Sequence, residues 1–389
     1  MAIDPERATL HDFDAIVAIA DQCFPHEKEK GGMLVRWPHC YLRDARSIHN
    51  FLLIREDSKP VSIVEYVDHR VRIGEGRIRV GGLTAVATLP SHRHRGFMTR
   101  LLHRCIEHMR KEGYALSELG GYRLRYNRLG WESAGLEWRF RIDRGCLHAK
   151  PGDDSYRVVP YGQRPEELDD VISIHSKERV GLERSPELTA LLLRRGGWDT
   201  WLAEAPSGIT AYAVCYVGDD GERSIGEFGG DPEGIHAILC HLVDDLNTPS
   251  LSVTCPRIHP LNDYFASVSW GWDLGIPRMI KIIDLERTLR AFSAQLLIHC
   301  QRMELRAERS VVLGAKETGQ QVQVNLSRDQ VSVSRAGERT PTVHLPERSM
   351  VRYLFCPRMA DPPPDWPLDV CFFDRLLPLD FFVWPLERV

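Results

Sequence analysis

Residues 79–96 read Arg-Val-Gly-Gly-Leu-Thr-Ala-Val-Ala-Thr-Leu-Pro-Ser-His-Arg-His-Arg-Gly: a β-rich stretch stopped by proline, a basic turn and a glycine. A helical pattern follows at once, with Leu101, Leu102, Cys105 and Met109 on one face. A strand passing directly into a helix predicts a fold that mixes the two. It also gives the turn a use. The first N–H groups of a helix have no intrahelical partner, and with the helix dipole they make a site for an anion such as a pyrophosphate. Gly96 has no Cβ to hold that anion away. Arg93 and Arg95 can add charge-assisted hydrogen bonds.

The spacing excludes two common phosphate sites. There is no Gly-x-x-x-x-Gly-Lys-Ser/Thr for a nucleoside triphosphate and no Gly-x-Gly-x-x-Gly for a dinucleotide. A solvated basic loop is the plain alternative. A nucleic-acid surface needs more basic residues with aromatics among them, and the net charge of −4 gives it no support. The pattern Val-x-x-x-Pro-x-x-Arg-x-x-Gly resembles the acetyl-CoA-binding element of the GNAT acyltransferase superfamily. The resemblance implies that Val86 and Thr88 offer backbone groups to the pantetheine arm. It implies that Arg93, His94, Arg95, Gly96, Phe97 and Met98 offer N–H groups to the phosphates. Met98 stands where that family commonly has Gly or Ala.

At 389 residues the chain should form two or three compact units. The first, 1–150, reads as mixed α and β, with strands at 51–54, 61–67 and 77–89, a helix at 96–112 and a strand from Tyr114. A linker rich in Pro, Gly and acidic residues occupies 149–155. The second unit, 151–287, echoes that plan, with helices at 166–180, 187–195 and 232–246 and strands at 210–217, 224–228 and 251–254. A helix after Asp284, carrying Leu285, Leu289, Phe292, Leu296 and Leu297, leads into the third, 288–389, where short strands follow at 310–313, 322–326 and 331–333. Residues 362–367 form a proline-rich loop. The segment 381–389, with Phe381, Phe382, Trp384 and Leu386, is too apolar to be left in water, so it should be docked.

Tyr126-Asn-Arg-Leu-Gly-Trp-Glu looks like the tyrosine segment that closes many GNAT domains. The whole plan resembles the enhanced-intracellular-survival (Eis-type) acetyltransferases: tandem GNAT-like domains, the second degenerate, then a small sterol-carrier-like α+β domain. That resemblance implies acetyl transfer from acetyl-CoA directly to a primary amine, such as an aminoglycoside, a polyamine or a lysine side chain. It implies Tyr126 as general acid and the terminal carboxylate of Val389 as general base, with Phe24 and Trp37 lining the amine cleft. Glu118 is a further substrate-binding or base candidate. Tyr126 read as a core tyrosine, and a tail packed only for stability, are the plain alternatives.

A protein that only binds or senses an acyl-CoA or a lipid on the same scaffold is the rival function. Ten cysteines without a C-x-x-C pair point to reduced thiols, and no grouping suggests a metal. No apolar run approaches ~20 residues and the first residues do not resemble a signal peptide, so a cytoplasmic protein without a membrane partner is expected. The family likeness implies a homo-oligomer, a trimer or hexamer.

Overall fold

Residues 59–73 and 76–88 alternate apolar side chains between two faces, as strands covered on both sides require. In the computed structural model, which describes residues 4–150, 152, 155–218, 221–246, 248–337, 339–358 and 366–389, they pair as a long antiparallel hairpin. The hairpin is the centre of an eight-stranded sheet. Its order is Glu6–Arg7, Phe51–Glu56, Lys59–Ile73, Gly76–Thr88, Leu116–Leu119, Arg278–Ile282 and Glu132–Ala134, with Val180–Leu182 added beside Lys59–Ile73. The helix Phe97–Glu112 buries Phe97, Leu101, Leu102, Cys105, Ile106 and Met109 on one face of this sheet. The helix Phe13–Cys23 and the short helices after it cover the other.

A second, seven-stranded sheet runs Gly271–Gly275, Glu137–Asp143, Ser250–Pro256, Arg223–Gly230, Gly208–Val217, Trp198–Ala205 and Arg157–Pro160. A third, of four strands, runs Val331–Arg335, Gln321–Leu326, Arg309–Ala315 and Val343–Leu345. The mixed α and β architecture expected from the sequence is thus present.

Sheet membership does not follow chain segments. Glu137–Asp143 precedes position 150 yet lies in the second sheet, and Arg278–Ile282 precedes position 287 yet lies in the first. Several local expectations also change. The helix expected at 166–180 is Leu168–Ser176, and Val180–Leu182 is a strand of the first sheet. The strand Trp198–Ala205 was not foreseen, because its polar Asp199, Thr200 and Glu204 interrupt a clean alternation. The helix expected after residue 284 is two, Leu285–Ala291 and Ser293–Arg302, broken at Phe292. Linker positions 151, 153 and 154 and the proline-rich 362–365 lie outside the described residues.

Candidate active site

Gly76–Thr88 and Leu116–Leu119 run parallel and pair from Val80↔Leu116 to Leu83↔Leu119, where the shorter strand ends. Gly76–Thr88 continues alone on that side. Just beyond, its pairing with Lys59–Ile73 shifts between Glu65↔Thr84 and Ile63↔Ala87, so Ala85 and Val86 stand opposite a single residue. This is a β-bulge, and Ala85 has φ +52°. The sheet therefore opens into a cleft whose wall presents backbone groups at Val86. The carbonyl of Thr88, expected to face pantetheine, already accepts from Arg93 Nε at 3.3 Å and Cys23 Sγ at 3.4 Å.

The turn that follows has His94 at φ +64° and Gly96 at φ +78°, a conformation that gathers successive N–H groups into a concavity. Among the described residues, the N–H groups of His94, Arg95, Gly96, Phe97 and Met98 donate to no protein acceptor. A β-carbon on Gly96 would meet nothing within 4 Å, so the concavity opens outward. Met98 is partly buried against the apolar cluster under the helix.

The guanidinium of Arg95 is already engaged: it pairs with Glu56 through both terminal nitrogens, Nη1 at 2.7 Å from Oε2, and lies over the Phe97 ring. Arg95 keeps Glu56 below the ordinary carboxylate range. Arg93 is exposed and has no carboxylate partner among the described residues. Sequence reading missed Arg128, whose Nη2 reaches the Thr99 hydroxyl at 3.1 Å in the first helical turn.

Tyr126 is buried in the cluster that includes Leu83, Phe97 and Leu119, on the helix Phe97–Glu112 side of the sheet. Burial pushes its hydroxyl above the usual tyrosine value, and Arg125 beside it opposes this.

The opposite face holds the other groups. Val389 packs with Ile63, Ala85 and Ala87, and its carbonyl oxygen accepts from Arg278 Nη2 at 3.0 Å. Arg278 Nε donates to Glu118 Oε2 at 2.8 Å. Glu118 is fully enclosed, and its other oxygen lies 3.8 Å from His69 Nδ1, each atom buried and without a hydrogen-bond partner among the described residues. Burial lowers His69 below the usual imidazole value, with Glu118 opposing. Further along the same face is Glu65, pushed well above the carboxylate range by burial. Cys40 is its hydrogen-bond partner, and its Oε2 has none among the described residues.

Phe24 and Trp37 do line one cavity, of about 130 Å³, with Glu27, Met33, Tyr41, Thr84 and Ala85. Its wall is braced by other contacts: Arg36 Nε bonds Glu27 at 3.0 Å, and Arg195, from the second half of the chain, stacks 4.2 Å from the Trp37 ring centre. A larger cavity of about 1160 Å³ opens elsewhere, between Arg110, Asp284, Gln320 and His344, and shares no residue with the cleft. Proximity to the bulge, not size, makes the smaller one the candidate.

Residues 4–134 match a family described as acetyltransferase (GNAT) domain. No curated protein matches the chain. Solved structures share the fold over most of their length. A GCN5-related N-acetyltransferase from Kribbella flavida is 17% identical, with 90% of this chain and 87% of that one covered at a TM-score of 0.66. One from Anabaena variabilis ATCC 29413 is 15% identical, with 90% and 89% covered at 0.64. Eis1 from Mycobacterium abscessus is 14% identical, with 90% and 88% covered at 0.60.

Proposed function

We propose that this chain, whose GNAT-type acyltransferase domain spans residues 4–134, moves acetyl from acetyl-CoA directly to a primary amine. GNAT domains act on acyl-CoA co-substrates, so the donor class follows from the family, and acetyl is the finer reading. The observation that carries it is the opening beyond Leu83 and Leu119. Unpartnered N–H groups for a pyrophosphate stand at its mouth, Tyr126 packs on one face of the sheet and Val389 on the other.

The amine nitrogen attacks the thioester carbonyl, the C–N bond forms and the C–S bond breaks. The amine proton goes to the carboxylate of Val389. The departing thiolate takes the proton of the Tyr126 hydroxyl. No acyl-enzyme forms; Cys40 and Cys105, both buried, are held as thiols by desolvation. A terminal carboxylate has an ordinary value near ~3.5, too weak a base for an ammonium in water, so the group that reacts is the neutral amine and Val389 takes its proton only as the C–N bond forms. The acceptor class, a polyamine, an aminoglycoside or a lysine side chain, belongs to the same reading, with Glu27 on the wall of the Phe24 and Trp37 cavity as the acidic group nearest an incoming amine. Assembly as a homo-oligomer belongs to the same reading.

The test is release of free CoA from acetyl-CoA in the presence of polyamines, aminoglycosides and lysine peptides. Turnover with any of them supports the proposal. Tight CoA binding with no turnover across the panel would make the chain a binding protein.

A further inference from the structure

The second sheet repeats the opening of the first. Arg223–Gly230 and Ser250–Pro256 run parallel and pair from Arg223↔Leu251 to Ile225↔Val253 before parting. In the first sheet the equivalent gap is the proposed acetyl-CoA cleft. In the second it is filled by the chain itself. Trp384, fully buried, meets Phe228 edge-on with ring centres 5.2 Å apart, and its Nε1 donates to Val180 O at 3.1 Å. A β-carbon on Gly226 would lie 3.0 Å from Pro385 Cβ, so strand and tail are in close contact.

Beyond Trp384 lies a buried polar cluster. Glu387 Oε1 accepts from the Leu182 N–H at 2.9 Å and from Arg184 Nε at 2.8 Å. Arg184 Nη1 also donates to Glu227 Oε1 at 3.0 Å, and the Tyr212 hydroxyl donates to the same oxygen at 2.9 Å. His175 completes the group, its Nε2 3.6 Å from Glu387 Oε1. Burial pushes that histidine down to about 3, so it carries no charge. His175, Glu227 and Glu387 are close enough to hold a metal ion, but the guanidinium of Arg184 already supplies the cation between the two carboxylates. What the cluster grips is a residue of the tail, two positions before Val389.

We propose that the opening in the second sheet is a receptor for the tail, and that Arg184 and Glu227 are positioning residues that hold Val389 in the first sheet's site by anchoring Glu387. The inference rests on the reading of Val389 as the base. A buried carboxylate shared by a backbone N–H and a charged guanidinium fixes both position and angle, because both donors converge on one oxygen. From that fixed point only Arg388 intervenes. Arg388 is itself tied to Glu137 and, through Nε, to Val383 O at 3.1 Å. The second half of the chain thus acts on the reaction by holding an end of the polypeptide where the first half needs it.

The experiment uses full-length chain with Glu387→Gln, which keeps the shape and the acceptor oxygen, and with Arg184→Lys. Circular dichroism establishes that each is folded. Release of Val389 by a carboxypeptidase then reports the docked tail, and turnover with acetyl-CoA and an active amine reports the site. We expect Glu387→Gln to release Val389 at least about tenfold faster, as local opening becomes easier. Turnover should fall in step while the Kd for CoA stays unchanged, a split that general loss of structure would not produce. Folded variants that keep both the protection of Val389 and full turnover would overturn the anchor and leave the base reading standing. Faster release with full turnover would uphold the anchor and overturn the base reading.

Discussion

Val389 occupies the space that Gly82 leaves: a β-carbon at position 82 would lie 2.6 Å from Val389 Cγ2 and 3.0 Å from His69 Cε1. The glycine is therefore a seat for the end of the tail. Gly82→Ala should displace Val389 and lower turnover at least about tenfold, the low end of an acid–base contribution. Overpacking should cost about 1–3 kcal/mol of stability. Steady-state kinetics with CoA titration by calorimetry separates the two; unchanged turnover would remove Val389 from the chemistry.

Tyr126→Phe should reduce turnover by about tenfold or more and leave the affinity for CoA as it is. Because burial raises the Tyr126 hydroxyl above its ordinary value near ~10, the acid stays protonated through the neutral and mildly alkaline range. A pH–rate profile should therefore show no alkaline fall from this group below about pH 10. A fall between pH 8 and about pH 9 that disappears in Tyr126→Phe would contradict the burial-raised value.

The two arginines of the turn should behave differently. Arg93→Ala removes an unpaired cation beside the N–H concavity and should weaken CoA binding roughly tenfold, as loss of a charged hydrogen bond does. Arg95→Ala should cost less than about threefold, since its guanidinium is held by Glu56 and a surface pair is worth ~0–1 kcal/mol. Equal losses in fluorescence titrations would mean that Arg95 leaves Glu56 when the ligand arrives.

Glu65 supplies a stability test. Its carboxyl binds a proton more tightly folded than unfolded, so the stability it contributes is full below the unfolded value, near ~4.3, and is lost as pH rises toward the folded value. Glu65→Gln should match the native chain below about pH 4 and become progressively more stable than it above that. Thermal melts across pH read this directly. A constant difference would show that the Glu65 carboxyl is not shifted by folding, and a Glu65→Gln chain that becomes less stable than the native one as pH rises would show that Glu65 is ionised and paired.

The turn at 90–96 and the helix after it were legible because proline, glycine and the 3.6-residue apolar period are local signals. The bulge at Ala85 was not, since nothing in Thr-Ala-Val-Ala demands a positive φ and the register of Lys59–Ile73 imposes it. The pairing of Arg95 was hidden for a related reason: its partner, Glu56, is 39 positions away. Glu65 did leave a trace. It stands within the apolar run Val61 to Val67 of a strand buried on both faces, where a charge has to be either paired or used. Arg278 and Arg184 left none, because their meaning comes from strands that long-range pairing brings to the tail.

The trading of Glu137–Asp143 and Arg278–Ile282 between sheets has a consequence for how such a chain can be cut. A fragment ending near residue 150 would lack the strand that joins Leu116–Leu119 to Glu132–Ala134, and would carry a strand belonging to its neighbour. Each half would expose raw strand edges and be prone to aggregate. Dissection, fusion or exchange of parts between relatives therefore has to keep residues 4–282 together, and with them the tail at 381–389 that packs into both sheets. The two halves are laced rather than linked, and neither is a spare part for the other.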